Sequence, residues 1–295
     1  METAAPGRNR LTAMLIVAVV ILLCGIAAML FVTRPWEPAP VPETLPPTEA
    51  PTEAPTDPPT EPPTEEPTEP PAELNPYGIF DFQFEGRYLK LLEGDSITGI
   101  DVSAHQQEVD WAKVKASGVD FVMIRVGYRG YGQAGTLNED KFARDNLKGA
   151  AEAGLDIGVY FFSQAVSVEE ALEEADFVLE ILNGMELAMP VVYDWEFVSD
   201  TARTANVDRR TLTDCSLAFL GKIEEAGYHP MLYFNTNQVR KLLYLEELNQ
   251  YDFWLALYSH RMTFPYKVNM WQYTCTGSVP GVEGNCDINI FFPDN

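Results

Sequence analysis

Residues 189–197 read MPVVYDWEF, a proline and three apolar residues followed by two carboxylates on either side of a tryptophan. The apolar run predicts a buried β-strand that ends at Asp194 and Glu196. Because side chains alternate between the two faces of a strand, these two acids point the same way, with Cα atoms roughly 6.5–7 Å apart. The stretch is either a strand with chemistry at its C-terminal end or a surface strand end whose acids are merely solvated.

The sequence around this stretch alternates between strand and helix patterns. Eight strand patterns follow one another, at 97–103, 119–128, 155–163, 189–197, 229–235, 251–258, 268–274 and 287–292. A helical pattern follows each of the first five, and the first four helices end at glycine, as a left-handed C-terminal cap requires. There is no room for full helices between the last three strands.

Repeated strand–helix units predict an α/β fold with a parallel sheet and right-handed crossovers. Eight strands in about 200 residues favour closure into a barrel. The alternative is an open doubly wound sheet, which lacks support because no glycine-rich phosphate loop follows the first strand.

The N-terminal part of the chain has a different composition. Residues 11–33 contain no charge and are long enough to span a bilayer. The alternative is a cleaved signal peptide, whose apolar region is usually about 7–15 residues. We predict an uncleaved transmembrane signal-anchor. Arg8 and Arg10 precede it and only Arg34 follows, which predicts that residues 1–10 are cytoplasmic and that the remainder is extracellular.

A Pro/Thr/Glu-rich linker, residues 34–75, follows the apolar segment and is predicted to be disordered. Its residues 35–75 carry ten acids and no base. In an extended polyproline II conformation, at about 3.1 Å per residue, they reach about 120 Å. Residues 76–96 form a preamble to the globular domain, with an alternating apolar pattern that fits an added hairpin.

Net charge narrows the class of partner. Of the chain's −24, residues 1–34 contribute +2 and the linker −10, which leaves −16 for residues 76–295. A domain this acidic has no electrostatic footprint for nucleic acid or for an anionic surface. The expected partner is neutral or is recognised by stacking and hydrogen bonds.

Four cysteines are present, and two of them predict a crosslink. Cys275 and Cys286 bracket the turn-rich loop TCTGSVPGVEGNC and are close enough in sequence to form a disulfide. Cys215 falls on the apolar stripe of a predicted helix, which predicts a buried thiol, and Cys24 lies in the apolar segment 11–33.

In a barrel, functional side chains lie at the C-terminal ends of the strands. Collecting those ends gives Asp101, Arg125, Tyr128, Tyr160, Asp194, Glu196, Asn235, Trp254, Tyr258, Trp271, Gln272 and Asp287. A combination of carboxylates and aromatic side chains is typical of a glycosidase. In such an enzyme one protonated carboxyl donates its proton to the leaving-group oxygen, and negative charge stabilises an oxocarbenium-like centre. Trp254 and Trp271 fit a structural core equally well.

Other reaction classes find little support in the sequence. The three histidines, His105, His229 and His260, lie in different units without metal-ligand spacing, so we predict no metal and no cofactor. A GxSxG motif is absent from the sequence, and Cys215 lies in the middle of a helix, which disfavours a serine or cysteine nucleophile.

Four ordered segments resemble the glycoside hydrolase family 25 lysozymes, the Chalaropsis-type muramidases. They are GIDVSAHQ (99–106), DWAKVKASGVDFVMIRVGYRG (110–130), VYDWE (192–196) and WQYTCTGSVPGVEGNCDIN (271–289). The resemblance covers about residues 97–292. It implies that residues 97–295 form a catalytic domain with a modified TIM-like (β/α)5(β)3 barrel.

The resemblance also implies hydrolysis of the β-1,4 bond between N-acetylmuramic acid and N-acetylglucosamine in peptidoglycan. Carried over by motif, the resemblance implies that Glu196 is the general acid and that Asp194 acts beside it. The role it suggests for Asp194 is to orient the N-acetyl group of the substrate. Asp101 and Asp287 complete the acidic mouth, and Tyr160 supports the reacting sugar. This chain departs from the family pattern at Cys275 and Cys286. It also departs at Gln164, a position where the family pattern favours an aromatic residue.

The leading hypothesis is therefore a single-pass cell membrane protein, a lysozyme that acts on the glycan strands of the cell wall during turnover. Two alternatives remain open at this point. One is a non-catalytic module that binds cell-wall glycan, and the other is a hydrolase of another N-acetylated polysaccharide such as chitin.

Overall fold

A computed structural model of the chain describes residues 73–293. The predicted cytoplasmic segment 1–10, the transmembrane segment 11–33 and nearly all of the linker 34–75 lie outside the described residues. Within residues 73–293, no helix combines the length and hydropathy needed to cross a membrane.

The described residues contain eleven strands and five α-helices. The strands are β1 (Phe82–Glu85), β2 (Tyr88–Leu91), β3 (Ile97–Val102), β4 (Phe121–Arg129), β5 (Leu137–Glu139), β6 (Asp156–Ser163), β7 (Val191–Trp195), β8 (Pro230–Asn235), β9 (Asp252–Ala256), β10 (Met270–Gly277) and β11 (Cys286–Phe291). The helices are α1 (Trp111–Ala116), α2 (Ala143–Glu152), α3 (Val168–Leu182), α4 (Arg209–Glu225) and α5 (Thr236–Lys241).

Eight of these strands close into a barrel, as the sequence predicts. The order is β3, β4, β6, β7, β8, β9, β10, β11, and β11 pairs back onto β3. A helix follows each of the first five barrel strands, and a short 3-10 turn at Leu245–Glu247 precedes β9. The short strand β5, which the sequence analysis did not predict, pairs with the end of β4.

The prediction of a fully parallel sheet is wrong for one strand. β11 pairs antiparallel with both of its neighbours, β10 and β3. The physical reason is the connection between β10 and β11, which spans only residues 278–285. A parallel pair needs a crossover of a dozen or more residues, whereas a short turn is enough for an antiparallel pair. The chain therefore reverses direction in its last strand.

The alternation of side chains along β7 separates two apolar cores. Val192 packs inside the barrel with Phe121, Met123 and other side chains from neighbouring strands. Tyr193 and Trp195 point the other way, into the core between the barrel and its helices. Asp194 therefore shares the inner face with Val192, as period-two alternation predicts.

The helix ends and the hairpin agree with the sequence patterns. The glycines after the first four helices have φ values between +70° and +94°.

In the preamble, β1 and β2 form an antiparallel hairpin that packs on the outside of the barrel. The Phe82 ring meets Trp271 edge-on at 5.2 Å between centroids, and the backbone N–H of Leu89 donates to the Tyr273 hydroxyl at 3.2 Å. These contacts fix the hairpin to β10.

The predicted disulfide is not formed, because Cys275 and Cys286 are both free thiols. In the β10–β11 pair, Gly277 rather than Cys275 lies opposite Cys286. Diagonal neighbours two positions apart are separated by about 7–8 Å, whereas a disulfide requires Cβ atoms about 3.5–4.5 Å apart. Cys215 is buried in α4, as predicted.

A glycine in β3 sets a steric limit on the barrel interior. A Cβ atom at Gly99 would lie 2.2 Å from the ring of Phe121 on the adjacent strand. We expect Gly99→Ala to lower the free energy of unfolding by about 1–3 kcal/mol, the usual cost of overpacking a core. Chemical denaturation monitored by circular dichroism measures this change. The matched control is Gly132→Ala, since no atom lies within 4 Å of a Cβ there. Equal stability of the two variants would contradict the steric argument.

Candidate active site

A cavity of about 230 Å³ opens at the end of the barrel where the parallel strands finish. Its lining combines four carboxylates with an arginine, five large aromatic side chains and several polar side chains. The lining residues are Asp101, Ser103, His105, Gln106, Arg125, Tyr160, Phe162, Asp194, Glu196, Tyr233, Trp254, Tyr258, Gln272 and Asp287.

The antiparallel direction of β11 brings the fourth carboxylate to this cavity. Asp287 is the second residue of β11, so it lies at the beginning of the strand and not at the C-terminal end assumed from the sequence. In the β3–β11 pair, Asp287 lies opposite Asp101, which is near the end of β3. The two acids therefore reach the same mouth from strands that run in opposite directions.

Asp101 is held by two amides on neighbouring strands. Its Oδ2 accepts hydrogen bonds from Gln272 Nε2 at 2.8 Å and from Asn289 Nδ2 at 2.9 Å. Asn289 is oriented in turn by Trp254, whose Nε1 donates to Asn289 Oδ1 at 2.9 Å. Burial raises the pKa of Asp101 to about 6, although the two amide hydrogen bonds favour its ionised form.

Gln272 connects this carboxylate to two tyrosines. Its Oε1 accepts from the Tyr233 hydroxyl at 3.1 Å and from the Tyr258 hydroxyl at 3.2 Å. With both oxygen contacts made, its amide nitrogen is directed at Asp101. Gln272 therefore fixes the positions of three polar groups around the cavity.

The two acids of the DWE segment differ in exposure. Asp194 is 5% exposed, and among residues 73–293 no donor contacts its Oδ1. Burial, followed by the charges of Glu196 and Asp101, raises the pKa of Asp194 well above its ordinary value. Glu196 is half-buried, and burial followed by the charge of Asp101 raises its pKa.

Asp287 is the remaining member of the acidic cluster. Burial, then the charges of Asp101 and Glu196, raises its pKa to about 8. Four carboxylates in one small cavity cannot all ionise at neutral pH, so they share protons as a coupled group. Such a cluster holds both a proton to donate and negative charge to stabilise a developing cation.

Arg125 provides the positive charge at the edge of the cavity. Its Nε and one terminal nitrogen contact Asp140 Oδ2 at 2.8 and 2.7 Å, and its guanidinium lies over the Tyr128 ring at 5.3 Å. Asp140 is buried and also accepts from the backbone N–H of Ala104 at 3.0 Å. The charge of Arg125 opposes the rise in the pKa of Asp194.

Two buried glutamines hold the end of β7 from outside the barrel. Gln164 Nε2 donates to the backbone carbonyl of Glu196 at 2.6 Å, and Gln238 Nε2 donates to that of Trp195. Gln164 is itself oriented by Thr204, whose hydroxyl donates to Gln164 Oε1 at 3.1 Å. The residue that departs from the family pattern thus fixes the backbone that carries Glu196.

Several residues predicted from strand ends do not line the cavity. Asn235 caps α5, where its side chain accepts from the backbone N–H of Asn237 at 3.0 Å. Trp271 faces the outer core and donates to the Leu257 carbonyl at 2.8 Å, while Tyr128 lies beneath Arg125. Trp195, which stands between the two acids in sequence, is 2% exposed and donates to the Ala165 carbonyl at 3.0 Å.

Sequence reasoning also missed residues that the structure brings to the site. Tyr233 lines the cavity, and it shares the inner face of β8 with Met231, so the alternation of that strand contains the signal. Asn289 is two residues beyond Asp287 on β11 and follows the same rule. Asp140 comes directly after the unpredicted strand β5, and no sequence pattern points to it. Within residues 73–293, no group of three acidic, histidine or cysteine side chains is arranged to hold a metal ion.

Comparison with known proteins places this geometry in a family. The model of the family described as "Glycosyl hydrolases family 25" matches residues 100–282. The "Autolytic lysozyme" of Clostridium acetobutylicum is 26% identical over 198 residues, which cover 65% of this chain and 55% of that protein.

Solved structures give the same result. The modular autolysin LytC of Streptococcus pneumoniae superposes with a TM-score of 0.59 at 27% identity, covering 67% of this chain and 47% of LytC. A family 25 glycosyl hydrolase of Bacillus anthracis superposes with a TM-score of 0.57 at 23% identity, covering 66% of this chain and 88% of that structure, which supports the fold. The chain spans about half the length of the autolytic lysozyme and of LytC.

The acidic cluster predicts a pH-dependent loss of stability. Since the pKa of Asp287 rises from 3.8 to about 8, the folded protein keeps a proton that the unfolded chain releases within this window. The free energy of unfolding therefore falls as pH rises from about 4 to 8. We expect Asp287→Asn to raise Tm at pH 8.5 by at least about 2–4 °C, the shift produced by about 1 kcal/mol, and to leave Tm unchanged at pH 4.

Thermal denaturation at the two pH values tests this expectation. The matched control is Asp200→Asn on an exposed loop, which should not alter the pH dependence. If Asp287→Asn shifted Tm equally at both pH values, the ionisation of the buried Asp287 carboxyl would not be the cause of the Tm shift.

Proposed function

Because this chain belongs to the glycosyl hydrolases of family 25, we propose that it is a lysozyme, an N-acetylmuramidase that hydrolyses the β-1,4 bonds between N-acetylmuramic acid and N-acetylglucosamine in peptidoglycan. The observation that carries the proposal is the convergence of four carboxylates from three strands on one aromatic-lined cavity. In addition, LytC has been described in complex with a synthetic peptidoglycan ligand.

In this proposal, Glu196 is the general acid. It is the more exposed acid of the DWE pair, and burial together with the charge of Asp101 raises its pKa, which favours the protonated form that a general acid needs. Its proton passes to the glycosidic oxygen as the bond to the anomeric carbon breaks. The amide contact from Gln164 holds the backbone from which Glu196 makes this transfer.

Asp194 is suited to a different role beside Glu196. Asp194 lines the cavity, and its buried Oδ1 has no hydrogen-bond donor among the described residues, which leaves this carboxyl with acceptor capacity for the substrate. The amide N–H of an N-acetyl group is such a donor. Asp194 would then orient that group next to the anomeric carbon, where its carbonyl oxygen can stabilise the positive charge.

The remaining lining residues would bind and support the sugar. Asp101 and Asp287 add negative charge near the oxocarbenium-like centre, to the extent that the cluster is ionised. Burial and the charge of Asp101 raise the pKa of Tyr160 well above its ordinary value, so its phenol remains a neutral hydrogen-bond donor. Tyr258 and Arg125 also line the cavity, where they would contact a sugar hydroxyl or carboxylate.

We further propose that the enzyme is a single-pass membrane protein whose catalytic domain acts on the cell wall from outside the cell. The uncharged segment 11–33 and the long acidic linker 34–75 support this arrangement. On such a tether the domain would reach nearby glycan strands and contribute to cell-wall turnover.

Digestion of purified peptidoglycan by the full-length protein tests the activity. We expect soluble fragments that end in reduced N-acetylmuramic acid when the products are treated with borohydride and analysed by mass spectrometry. Glu196→Gln should lower the yield of these ends by at least about 100-fold, which is within the range of general acid catalysis.

The control for charge removal is Glu225→Gln at the exposed end of α4, which should digest at the wild-type rate. Fragments ending in N-acetylglucosamine would show a glucosaminidase instead. Faster turnover of chitin oligomers would refute the muramidase assignment, and wall binding without any new ends would favour a non-catalytic module.

The glutamine contact to Glu196 gives a second prediction for this activity. Gln164→Met keeps the length of the side chain but removes its amide nitrogen, which donates to the backbone carbonyls of Ser163 and Glu196. The Glu196 carbonyl therefore loses the hydrogen bond from residue 164. The expected loss of about 1–3 kcal/mol in positioning lowers kcat by roughly 5- to 150-fold, with little change in KM. Steady-state kinetics on solubilised glycan strands measure both constants.

Thr204→Val is the matched control, because it removes the hydroxyl that contacts Gln164 Oε1 and leaves the donors to Glu196 in place. It should lower kcat less than Gln164→Met does. A folded Gln164→Met variant with wild-type kcat would show that this contact does not position the acid.

A further inference from the structure

A second and larger groove, of about 690 Å³, lies beside the acidic cavity. Its floor is the end of β10, from Thr274 to Ser278. One wall is the hairpin β1–β2, through Phe84 and Arg87, and the other is the segment 258–260 after β9.

Tyr258 lies on the boundary between the two spaces. It lines both the groove and the acidic cavity, and its hydroxyl donates to Gln272 inside the cavity. Its side chain is 58% exposed. A ligand that occupies the cavity and extends past the exposed ring of Tyr258 would therefore reach the groove.

The groove differs from the cavity in the sign of its charged groups. None of the described residues that line it is acidic, whereas Arg87 and His260 carry basic side chains. Arg87 has no carboxylate partner within residues 73–293, and its one protein contact is a long hydrogen bond of 3.4 Å to the Ser278 carbonyl. Its remaining N–H donors are free to bind an anion. This is notable on a domain whose net charge is −16.

The hairpin presents Arg87 from a fixed position. Glu85 lies opposite Tyr88, so Gly86 and Arg87 form a two-residue turn, in which Gly86 has a φ of +64°. Tyr88 is buried and its hydroxyl lies 2.7 Å from that of Ser117, while the Phe84 ring meets Tyr273 edge-on at 6.3 Å. The hairpin precedes the segment 100–282 matched by the family model, so this wall of the groove lies outside the matched region.

We propose that this groove binds the peptide stem of a peptidoglycan strand whose sugars occupy the acidic cavity, with Arg87 pairing to a free carboxylate of that stem. The proposal rests on the lysozyme function proposed above. The lactyl group of N-acetylmuramic acid carries a peptide with free carboxylates, and a planar guanidinium binds a carboxylate through two parallel hydrogen bonds. The hydroxyl groups of Thr274, Thr276 and Ser278 line the path of the peptide and suit its backbone.

The test compares two substrates, intact peptidoglycan and the same glycan strands after an amidase has removed their peptides. For the full-length protein, we expect the ratio of kcat/KM for the peptide-bearing substrate to that for the peptide-free one to fall about tenfold in Arg87→Gln. Lys90→Gln removes a positive charge from the same hairpin but outside the groove, where Lys90 lies 4.0 Å from Asp120. It should retain the wild-type ratio.

A binding experiment separates this proposal from the proposed activity. The probe is a disaccharide tripeptide from peptidoglycan, with its stem carboxylates either free or amidated, titrated calorimetrically onto full-length Glu196→Gln. We expect the free acid to bind about tenfold more tightly than the amide, and Arg87→Gln in the same background to abolish that difference. Equal binding of the two probes, or equal effects of Arg87→Gln and Lys90→Gln, would overturn the proposal. Preference for the free acid without turnover by the wild type would refute the hydrolase activity and leave the groove assignment intact.

Discussion

The antiparallel pairing of β11 with β3 is the constraint on which the site depends. It closes the barrel, and it also places Asp287 opposite Asp101 at the mouth. Two carboxylates on adjacent strands disfavour each other's ionised form, and Asp194 and Glu196 from β7 share the same cavity. A parallel last strand would put the residue at its beginning on the opposite side of the barrel. The acidity of the site is thus a consequence of strand direction.

Such a cluster needs support because buried carboxylates with few partners oppose folding. The structure supplies that support from side chains that do not themselves titrate at neutral pH. Gln272 and Asn289 hold Asp101 from β10 and β11, while Gln164 holds the carbonyl of Glu196. Asp194 Oδ1 is a buried oxygen without a donor from the described residues, and it belongs to a residue that lines the cavity. The unpaired Asp194 oxygen lowers the stability of the free protein, and a hydrogen bond from the substrate would restore it.

The sequence predicted features that follow from local periodicity. It missed those that depend on the direction of a strand, on strand register or on contacts between separate segments. Period-two alternation placed Asp194 on the inner face of β7, but the same rule sends Trp195 outward, into the core beneath the helices. The direction of β11 depends on the length of one loop, and the absence of the Cys275–Cys286 disulfide depends on the register that the loop sets. Asp140 lies far along the chain from the groups it orients, and only the tertiary fold brings it to Arg125. The number of barrel strands, the helix ends and most of the acidic mouth required no such information.

The acidic cavity and the neighbouring groove differ in the charge that they favour in a ligand, and a sugar that carries a carboxylate substituent suits both. Hydrolysis of a neutral sugar bond favours an acidic cavity, because its carboxylates provide the proton and stabilise positive charge. The same negative charge repels any carboxylate attached to that sugar, and the domain's net charge of −16 adds to this repulsion. The neighbouring groove has no acidic residue among its described lining residues and carries Arg87, so it offers a carboxylate a positively charged partner. Since Tyr258 belongs to both spaces, the sugar and its anionic substituent can be bound side by side, each in an environment of suitable charge.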